Sequence, residues 1–331
     1  MSVRDRSARR DSVRSDDPVV VIEAGGTYLR AAVAHPSGPG PALRELTPSR
    51  TATDRDPDLV LSRTVEAVVR LGLAACSGRC PARAVVAWPG PLSPEGAVYA
   101  SPTVAGPTGG GTAVTSMLSA GWGGAAVLLV NDLTAAGLRF VADGYSDFAV
   151  VTVGSGIGHK VFAGGRPVVG PRGRGGELGH LVVREGPGAE PCDCGGVGHL
   201  GALASGRAIV RRVAAARQVV DGYDDAAAGR AVVSAVAAGD PVAIEVVADA
   251  AALLGRALAG LHVGVGVERF LLIGGFACAA GEGYRRQVVA AGRTSCWDLG
   301  LDWDAAISIE GTGDDVALGG AWLAARDQGW V

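Results

Sequence analysis

A short stretch near the middle of the chain carries cysteines and histidines at the spacing of one metal site. His180 is followed by Cys192, Cys194 and His199, with glycines around Cys194 that permit tight turns. Thiolate and imidazole are the ligands that Zn²⁺ prefers, and four of them close a tetrahedral site with no open position for water. The spacing therefore favours a structural zinc site, and ordinary buried thiols beside a surface histidine are the alternative.

An acidic residue at the end of a predicted strand is the candidate for proton transfer. Asp132 follows the apolar run 126–130 and its neighbour Asn131. A carboxylate in this place can accept the proton of a hydroxyl group in a transition state. Aspartate is also a common N-cap, so the alternative is that Asp132 only caps the helix predicted over about 133–141.

Three glycine-bearing turns, each after an apolar strand, are candidates for phosphate binding. Backbone N–H groups in such turns can converge on an anion, and glycine permits close approach. None has the form of a P-loop or of a G-x-G-x-x-G turn that opens a helix near the start, which disfavours those two nucleotide-binding folds. The turns are Gly25-Gly26-Thr27, Gly154-Ser155-Gly156-Ile157-Gly158 and Gly274-Gly275.

Predicted strands alternate with predicted helices along the chain, which indicates an α/β protein with ligands at the carboxyl ends of its strands. Residues 58–73 have apolar positions at helical spacing, and residues 160–169 predict a hairpin that turns at Gly164-Gly165. Strands are predicted at 19–22, 30–34, 84–88, 126–130, 148–153, 270–273 and near 305–309, and further helices between 202 and 263 and over about 314–326.

The composition narrows the class of protein. A chain of 331 residues with 48% apolar residues favours two domains, and a net charge of −3 gives no broad basic face for nucleic acid. No apolar run reaches the roughly 18 residues of a membrane span. Six cysteines are too few for a disulfide scaffold, which favours the cytoplasm. Lys160 is the only lysine, and Cys76, Cys80, Cys278 and Cys296 are expected to be buried or incidental thiols.

Together these motifs resemble those of the ROK family of sugar kinases. The resemblance rests on Glu177-x-Gly-His180 followed by Cys192-x-Cys-Gly-x-x-Gly, on Asn131-Asp132, and on the Pro89-Gly90-Pro91 and Ser101-Pro102-Thr103 turns. It implies two ribonuclease-H-like or actin-like α/β domains with an interdomain cleft. The implied division is a disordered tail at 1–17, an N-terminal domain of 18–131 with the returning helix 314–328, and a larger C-terminal domain of 132–313 with the zinc-binding segment 177–201.

The resemblance also implies ATP with Mg²⁺, a structural Zn²⁺ and a role for each motif. Asp132 would be the catalytic base, and Glu23 a candidate ligand of Mg²⁺ through water. The remaining implied roles are substrate binding by Asn131, Glu177, His180 and Thr103, ATP binding by Gly25, Gly26, Thr27, Gly154, Ser155, Gly156, Gly274 and Gly275, and zinc binding by His180, Cys192, Cys194 and His199.

The sequence departs from the family pattern at several positions. His199 stands where a third cysteine is usual, and Gly201 where a glutamate holds the sugar. Thr103 replaces an asparagine of the sugar loop. Glu23 replaces an aspartate, and His159-Lys160 follow the second turn where more glycine is usual. The changes at Thr103 and Gly201 should alter hydrogen bonding around the sugar ring.

The expected function is an ATP-dependent kinase for the primary hydroxyl (6-OH type) of a hexose. Thr103 and Gly201 favour an amino sugar or other modified sugar; a C7-cyclitol kinase and a glucokinase are the alternatives. The arginine-rich, lysine-poor composition is compatible with a pathway such as antibiotic biosynthesis. From another class, a non-catalytic sugar-binding or regulatory member is the alternative, supported by Glu23 and His159-Lys160. A homo-oligomer of two or more copies is expected, with neither nucleic acid nor membrane as a partner.

Overall fold

The fold is seen in a computed structural model that describes residues 17–38, 40–48, 57–105, 113–219, 225–311 and 316–330. The tail predicted at 1–17 lies outside these ranges except for Asp17. The strands predicted from continuous apolar runs are present, and such runs are typical of strands that are buried on both faces of a sheet.

Within these ranges, ten strands form two five-stranded sheets. The first sheet contains β1 (Val19–Ala24), β2 (Tyr28–Ala34), β3 (Ala42–Pro48), β4 (Arg83–Trp88) and β5 (Ala126–Asn131). The second sheet contains β6 (Phe148–Val153), β7 (Ile157–Ala163), β8 (Arg166–Pro167), β9 (Phe270–Ile273) and β10 (Ile307–Ile309).

The two sheets share one topology. The first has the order β3-β2-β1-β4-β5, and the second has the order β8-β7-β6-β9-β10. In each sheet the first three strands are an antiparallel meander, and the last two run parallel to the first strand. The chain therefore contains the same α/β unit twice, as the ribonuclease-H-like prediction requires.

Eleven helices accompany the strands in the described part of the chain. They are α1 (Pro57–Ala75), α2 (Pro102–Ala105), α3 (Val114–Gly121), α4 (Asp132–Ala142), α5 (Leu200–Ala204), α6 (Gly206–Ala216), α7 (Asp225–Ala237), α8 (Pro241–Val265), α9 (Gly275–Thr294), α10 (Trp303–Ala306) and α11 (Val316–Asp327). A 3-10 turn covers Leu178–His180.

Both faces of the first sheet are covered. On one face, Val68 of α1 and Trp122, just after α3, join a core with alternate residues of β1 and β4. On the other face, Leu318 and Trp322 of α11 pack with the remaining residues of the same strands. The last helix therefore returns to the sheet that the chain builds first.

Helix α4 lies between the two sheets. Ala135 belongs to the apolar cluster of the first sheet, whereas Leu133 and Phe140 pack with strands of the second sheet. At Gly320 of α11 an added Cβ would lie 1.6 Å from the Ala135 carbonyl oxygen, so glycine allows α11 to cross α4 closely. The first turn of α4 is consequently held where the two sheets face each other.

Most predicted elements are confirmed with equal or slightly longer bounds, and the hairpin does turn at Gly164-Gly165. The last strand starts only at Ile307, because 303–306 form a helical turn whose N-cap is Asp302. Strand β3 and helices α3 and α9 were not predicted. No single helix in the described ranges has the length and apolar character to cross a membrane; the pair α7–α8 meets that test only when joined across a sharp bend.

Candidate active site

A cleft of about 380 Å³ brings the predicted site residues together. It lies at the carboxyl ends of β1, β5, β6 and β9, where α/β sheets expose their turns to ligands. The predicted residues that line it are Glu23, Gly25, Gly26, Thr27, Asn131, Asp132, Gly154, Ser155, Gly156, Glu177, His180, Gly274 and Gly275. The side chain of Thr103 lies outside the described atoms, although its neighbour Pro102 lines the cleft.

The three glycine turns face one space. The first joins β1 to β2, the second joins β6 to β7, and the third joins β9 to α9. Gly274, the N-cap of α9, has a φ of 99°, and an added Cβ would lie 2.7 Å from the Val153 carbonyl oxygen. The third turn therefore packs on the end of β6, beside the second turn. The second turn is shorter than predicted, since Ile157 already begins β7.

Asp132 is the first residue of α4 and is not its N-cap. The cap is Asn131, whose side-chain oxygen accepts a hydrogen bond of 2.9 Å from the Thr134 backbone N–H. Asp132 Oδ1 accepts bonds from the Leu133 backbone N–H at 2.8 Å and from Asn131 Nδ2 at 3.2 Å. The capping alternative for Asp132 is thus wrong, and Asp132 lines the cleft.

Burial raises the pKa of Asp132 to about 7. Repulsion by the carboxylates of Glu23 and Glu177 contributes to this raised pKa, while the Leu133 N–H and the Lys160 ammonium act against the rise. A general base is most effective when its pKa lies near the working pH. The surroundings of Asp132 therefore suit proton transfer.

The amide of Asn131 is already bonded within the protein. Besides the bonds to Thr134 and Asp132, Nδ2 donates to the Gly90 carbonyl at 3.0 Å. These bonds tie the Pro-Gly-Pro turn to the start of α4. A substrate hydroxyl could contact Asn131 only through Oδ1 or Nδ2, and both atoms already make hydrogen bonds within the protein. Substrate binding by Asn131 stays a prediction.

Glu23 has a partner that the sequence did not suggest. Arg30 lies opposite Glu23 in the β1–β2 register, and Arg30 Nη1 is 3.0 Å from Glu23 Oε2. Knowledge of the hairpin register would have been needed to find this pair. A carboxylate oxygen donor is nevertheless present in the cleft, as binding of Mg²⁺ through water requires.

Two residues after the second turn belong to the site although no role was predicted for them. His159 and Lys160 both line the cleft and are both buried. Burial, reinforced by the Lys160 charge, lowers the pKa of His159 to about 4, and its Nδ1 accepts the Leu178 backbone N–H at 3.3 Å. His159 is therefore a neutral residue that anchors the turn carrying Glu177.

Glu177 and Lys160 act on each other electrostatically. Although the Glu177 side chain is open to the cleft, the surrounding protein partly removes its carboxylate from water, which raises its pKa. The positive charge of Lys160 acts against this shift. Burial lowers the pKa of Lys160, and the carboxylates of Glu177 and Asp132 oppose that shift. The part of the cleft lined by Asp132, Lys160 and Glu177 thus combines two carboxylates with one ammonium group.

The predicted zinc ligands lie together. The ligand atoms of His180, Cys192, Cys194 and His199 are all within 4.8 Å of one another. Cys192 Sγ is 3.6 Å from His180 Nδ1, and Cys194 Sγ is 3.2 Å from His199 Nδ1. Zinc–sulfur bonds of 2.3 Å and zinc–nitrogen bonds of 2.0–2.1 Å in a tetrahedron imply sulfur–nitrogen distances of about 3.5 Å. The four side chains therefore fit a closed zinc site.

The zinc segment folds through its glycines. Gly195 and Gly198 have φ values of 88° and 72°, and an added Cβ at Gly198 would lie 1.8 Å from the Arg184 carbonyl oxygen. His180 directs Nδ1 toward Cys192 and also lines the cleft, so zinc binding would fix the orientation of its ring at the edge of the cleft.

Of the cysteines outside this cluster, Cys80 and Cys278 are exposed rather than buried, and Cys278 lines the cleft.

Gly201 lies beside the turn that carries His180. An added Cβ at Gly201 would lie 3.1 Å from the Gly179 carbonyl oxygen. Gly201 also lines a smaller pocket of about 70 Å³, which shares His180, Pro102 and residues 155–157 with the main cleft. Because Gly201 has no side chain, the smaller pocket beside His180 remains open next to the cleft.

Comparisons with known proteins concern the family and the fold of the chain. A model of the ROK family matches residues 19–326. A C(7)-cyclitol 7-kinase of Streptomyces hygroscopicus subsp. limoneus is 40% identical over 219 residues, which cover 62% of this chain and 62% of that protein. The chain thus aligns with less than two thirds of this curated relative's length.

Two solved structures share the fold along nearly the whole chain. The ROK hexokinase from Thermus thermophilus has a TM-score of 0.67 and 31% identity, over 94% of this chain and 98% of that one. A ROK family glucokinase from Streptomyces griseus, in complex with glucose and AMPPNP, has a TM-score of 0.73 and 23% identity, over 94% and 99%. The fold is that of the actin-like ATPases to which ROK hexokinases belong.

Proposed function

The chain belongs to the ROK family, and on that premise we propose that it is an ATP-dependent carbohydrate kinase. It transfers the γ-phosphate of ATP to a primary hydroxyl of a sugar-like acceptor. The observation that carries this proposal is the position of Asp132, a carboxyl group with a pKa of about 7 in a cleft lined by three glycine turns. The hexokinase and cyclitol kinase relatives support it.

The acceptor hydroxyl is placed by the residues on the Glu177 side of the cleft. Asp132 accepts its proton as the oxygen attacks the γ-phosphorus, so that the neutral hydroxyl becomes a competent nucleophile. Glu177 and the free ring nitrogen of His180 hold neighbouring hydroxyls, and this fixes the attacking oxygen in line with the leaving group. The pH range of activity then follows the ionisation of Asp132.

The phosphates lie against the glycine turns. Within the turns, the Gly25 N–H donates to the Tyr28 carbonyl and the Gly154 N–H to the Gly156 carbonyl. The N–H groups of Gly26, Thr27, Ser155 and Gly156 are therefore the ones offered to the phosphate oxygens, and Gly274-Gly275, at the start of α9, lies near the adenosine. Mg²⁺, when bound, offsets the negative charge of the phosphates, and Glu23 is the candidate to hold it through water. Zinc, held by His180, Cys192, Cys194 and His199, supports the fold of the substrate side and takes no part in bond breaking.

For the acceptor we favour a C7 cyclitol over a hexose. The cyclitol kinase relative supports this choice, and so does the open pocket beside Gly201, which offers room for a substituent that a plain hexose lacks. The amino or otherwise modified sugar predicted from Thr103 and Gly201 is the second candidate. The domain division predicted above, a cytoplasmic location and a homo-oligomer are part of the same proposal.

The test is transfer from Mg-ATP to a panel of acceptors, with the product identified by mass spectrometry and phosphorus NMR. The panel contains C7 cyclitols, glucose, mannose, glucosamine, 3-amino-3-deoxyglucose and N-acetylated sugars. We expect a monophosphate on the primary hydroxyl and the highest kcat/KM with a cyclitol. Binding of an acceptor without any transfer would instead support the non-catalytic, regulatory alternative.

A further inference from the structure

The only lysine of the chain has its ammonium group inside the cleft. Lys160 is 3% exposed, and it lines the cleft beside the proposed catalytic residue. Lysine is almost never fully buried unless it is paired, so this position calls for a function. The roles proposed above for ATP, metal and acceptor binding do not use it.

The strand pleat directs Lys160 toward α4. Alternate residues of a strand share a face, so Gly158, Lys160 and Phe162 of β7 point to one side. An added Cβ at Gly158 would lie 2.7 Å from Leu133, and Phe162 packs against the middle of the same helix. Lys160 lies between these two contacts and therefore faces the first turn of α4, which begins at Asp132.

A backbone that only glycine favours holds the ammonium group. Lys160 Nζ donates a hydrogen bond of 2.8 Å to the Gly175 carbonyl oxygen. Gly175 and Gly176 have φ values of 126° and 97°, and an added Cβ at Gly176 would lie 2.7 Å from Nζ. The next residue is Glu177, and the charges of the Glu177 and Asp132 carboxylates both act on the ammonium group.

An ammonium group has three N–H donors. In the described part of the chain, the hydrogen-bond acceptor seen for Lys160 Nζ is the Gly175 carbonyl. Burial lowers the pKa of Lys160, and the carboxylates of Glu177 and Asp132 act against that shift. The N–H donors that Gly175 does not engage thus remain available in the part of the cleft where the acceptor would lie.

We propose that Lys160 donates a hydrogen bond to an oxygen of the acceptor and thereby selects a neutral polyol over an amino sugar. This inference rests on the kinase function proposed above. A hydroxyl or carbonyl oxygen accepts such a bond, whereas a protonated amine at the same position would bring a second cation next to the buried ammonium group of Lys160. Two like charges in contact repel each other.

The single lysine makes a direct binding test possible. Wild-type protein with [ε-¹³C]lysine should give one lysine signal, assigned by its loss in Lys160→Met. We expect this signal to shift when glucose or a C7 cyclitol is added and to stay in place with AMPPNP alone. An unshifted signal at acceptor concentrations that saturate turnover would overturn the inference and leave the kinase function intact.

Kinetics separate substrate contact from a supporting role. In Lys160→Met we expect kcat/KM for the neutral acceptor to fall about 10- to 100-fold, as for loss of a hydrogen bond to a charged group, mainly through KM. The ratio of kcat/KM for glucose over glucosamine should fall as well, and Lys160→Arg should restore part of it. Equal losses for both acceptors, with a raised KM for ATP, would mean that Lys160 only supports the backbone.

The outcomes for the two proposals can be told apart. A shift of the lysine signal by acceptors without any turnover would refute the kinase function but retain the contact of Lys160 with the acceptor. Absence of both the shift and turnover with every acceptor tested would refute both.

Discussion

Replacement of the proposed base should stabilise the protein while it removes activity. The wild-type Asp132 carboxyl has a pKa raised from 3.8 to about 7, which favours its protonated form in the folded state. Between these two values the folded protein binds one proton more than the unfolded chain. The free energy of unfolding therefore decreases as the pH rises through this range, and above about pH 7 the full cost of ionising Asp132 is present.

The magnitude follows from the shift. One pKa unit corresponds to 1.36 kcal/mol, so a shift from 3.8 to about 7 gives a cost of about 4 kcal/mol at most at alkaline pH. Between roughly pH 5.5 and pH 8, ionisation of Asp132 lowers the free energy of unfolding by about 2 kcal/mol. Solvent screening in the open cleft reduces this decrease to about 1 to 2 kcal/mol. The Asp132→Asn protein does not carry this cost, since its side chain does not ionise and still offers an oxygen to the Leu133 N–H.

The assay is thermal unfolding of wild type and Asp132→Asn at roughly pH 5.5 and pH 8. The stability advantage of the variant should grow by about 1 to 2 kcal/mol from the lower to the higher pH. Glu177 and Lys160 are present in both proteins, so their contributions to this difference largely cancel. Asp143→Asn, at the exposed C-terminal end of the same helix, is the control, and its effect should be alike at both pH values. A variant advantage that is constant with pH, or lower stability of Asp132→Asn at pH 8, would refute this view of the site.

Two further predictions concern the metal and the nucleotide. The purified protein should contain about one zinc ion per chain. The Cys194→Ser protein should lose the zinc and have a lower Tm, whereas the Cys296→Ser protein, altered outside the cluster, should keep the zinc. Metal analysis that finds no zinc in the wild type would contradict the zinc site. Gly274→Ala should lower the free energy of unfolding by about 1 to 3 kcal/mol and raise the KM for ATP, because the φ of 99° and ψ of 152° at Gly274 are essentially restricted to glycine. The control is Gly283→Ala on the open face of α9, which should be neutral or slightly stabilising. Equal effects of the two substitutions would contradict a role for the third turn.

The parts of the fold found from the sequence are those with a strong local signal. Continuous apolar runs that end in glycine marked β1, β6 and β9, and helical spacing marked α1. Strand β3 carries Arg44 and Glu45 at an edge of the sheet, so it lacks that signal. Helix α9 begins at glycine and contains Gly281 with a non-helical φ of 61°, which hid a long helix.

The site was predictable where a motif alone determines position, and not where strand register or loop geometry does. The cysteine and histidine spacing predicted a cluster that the structure does assemble. Asn131 and Asp132 are adjacent and both suit a helix N-cap, so the sequence could not decide which residue caps α4. The ion pair of Glu23 with Arg30 and the bond of Lys160 to Gly175 depend on β-sheet register and on two left-handed glycines, which no local pattern reveals.

Phosphorylation of a polyol with Asp132 as the base is tested most directly by ADP release from Mg-ATP that depends on the acceptor. The release is measured for wild type, Asp132→Asn and Asp143→Asn, each checked for nucleotide binding. We expect release by the wild type and Asp143→Asn, and a decrease of kcat by about 10²- to 10⁴-fold in Asp132→Asn. Wild-type rates in Asp132→Asn, or no acceptor-dependent release by the wild type, would contradict this proposal.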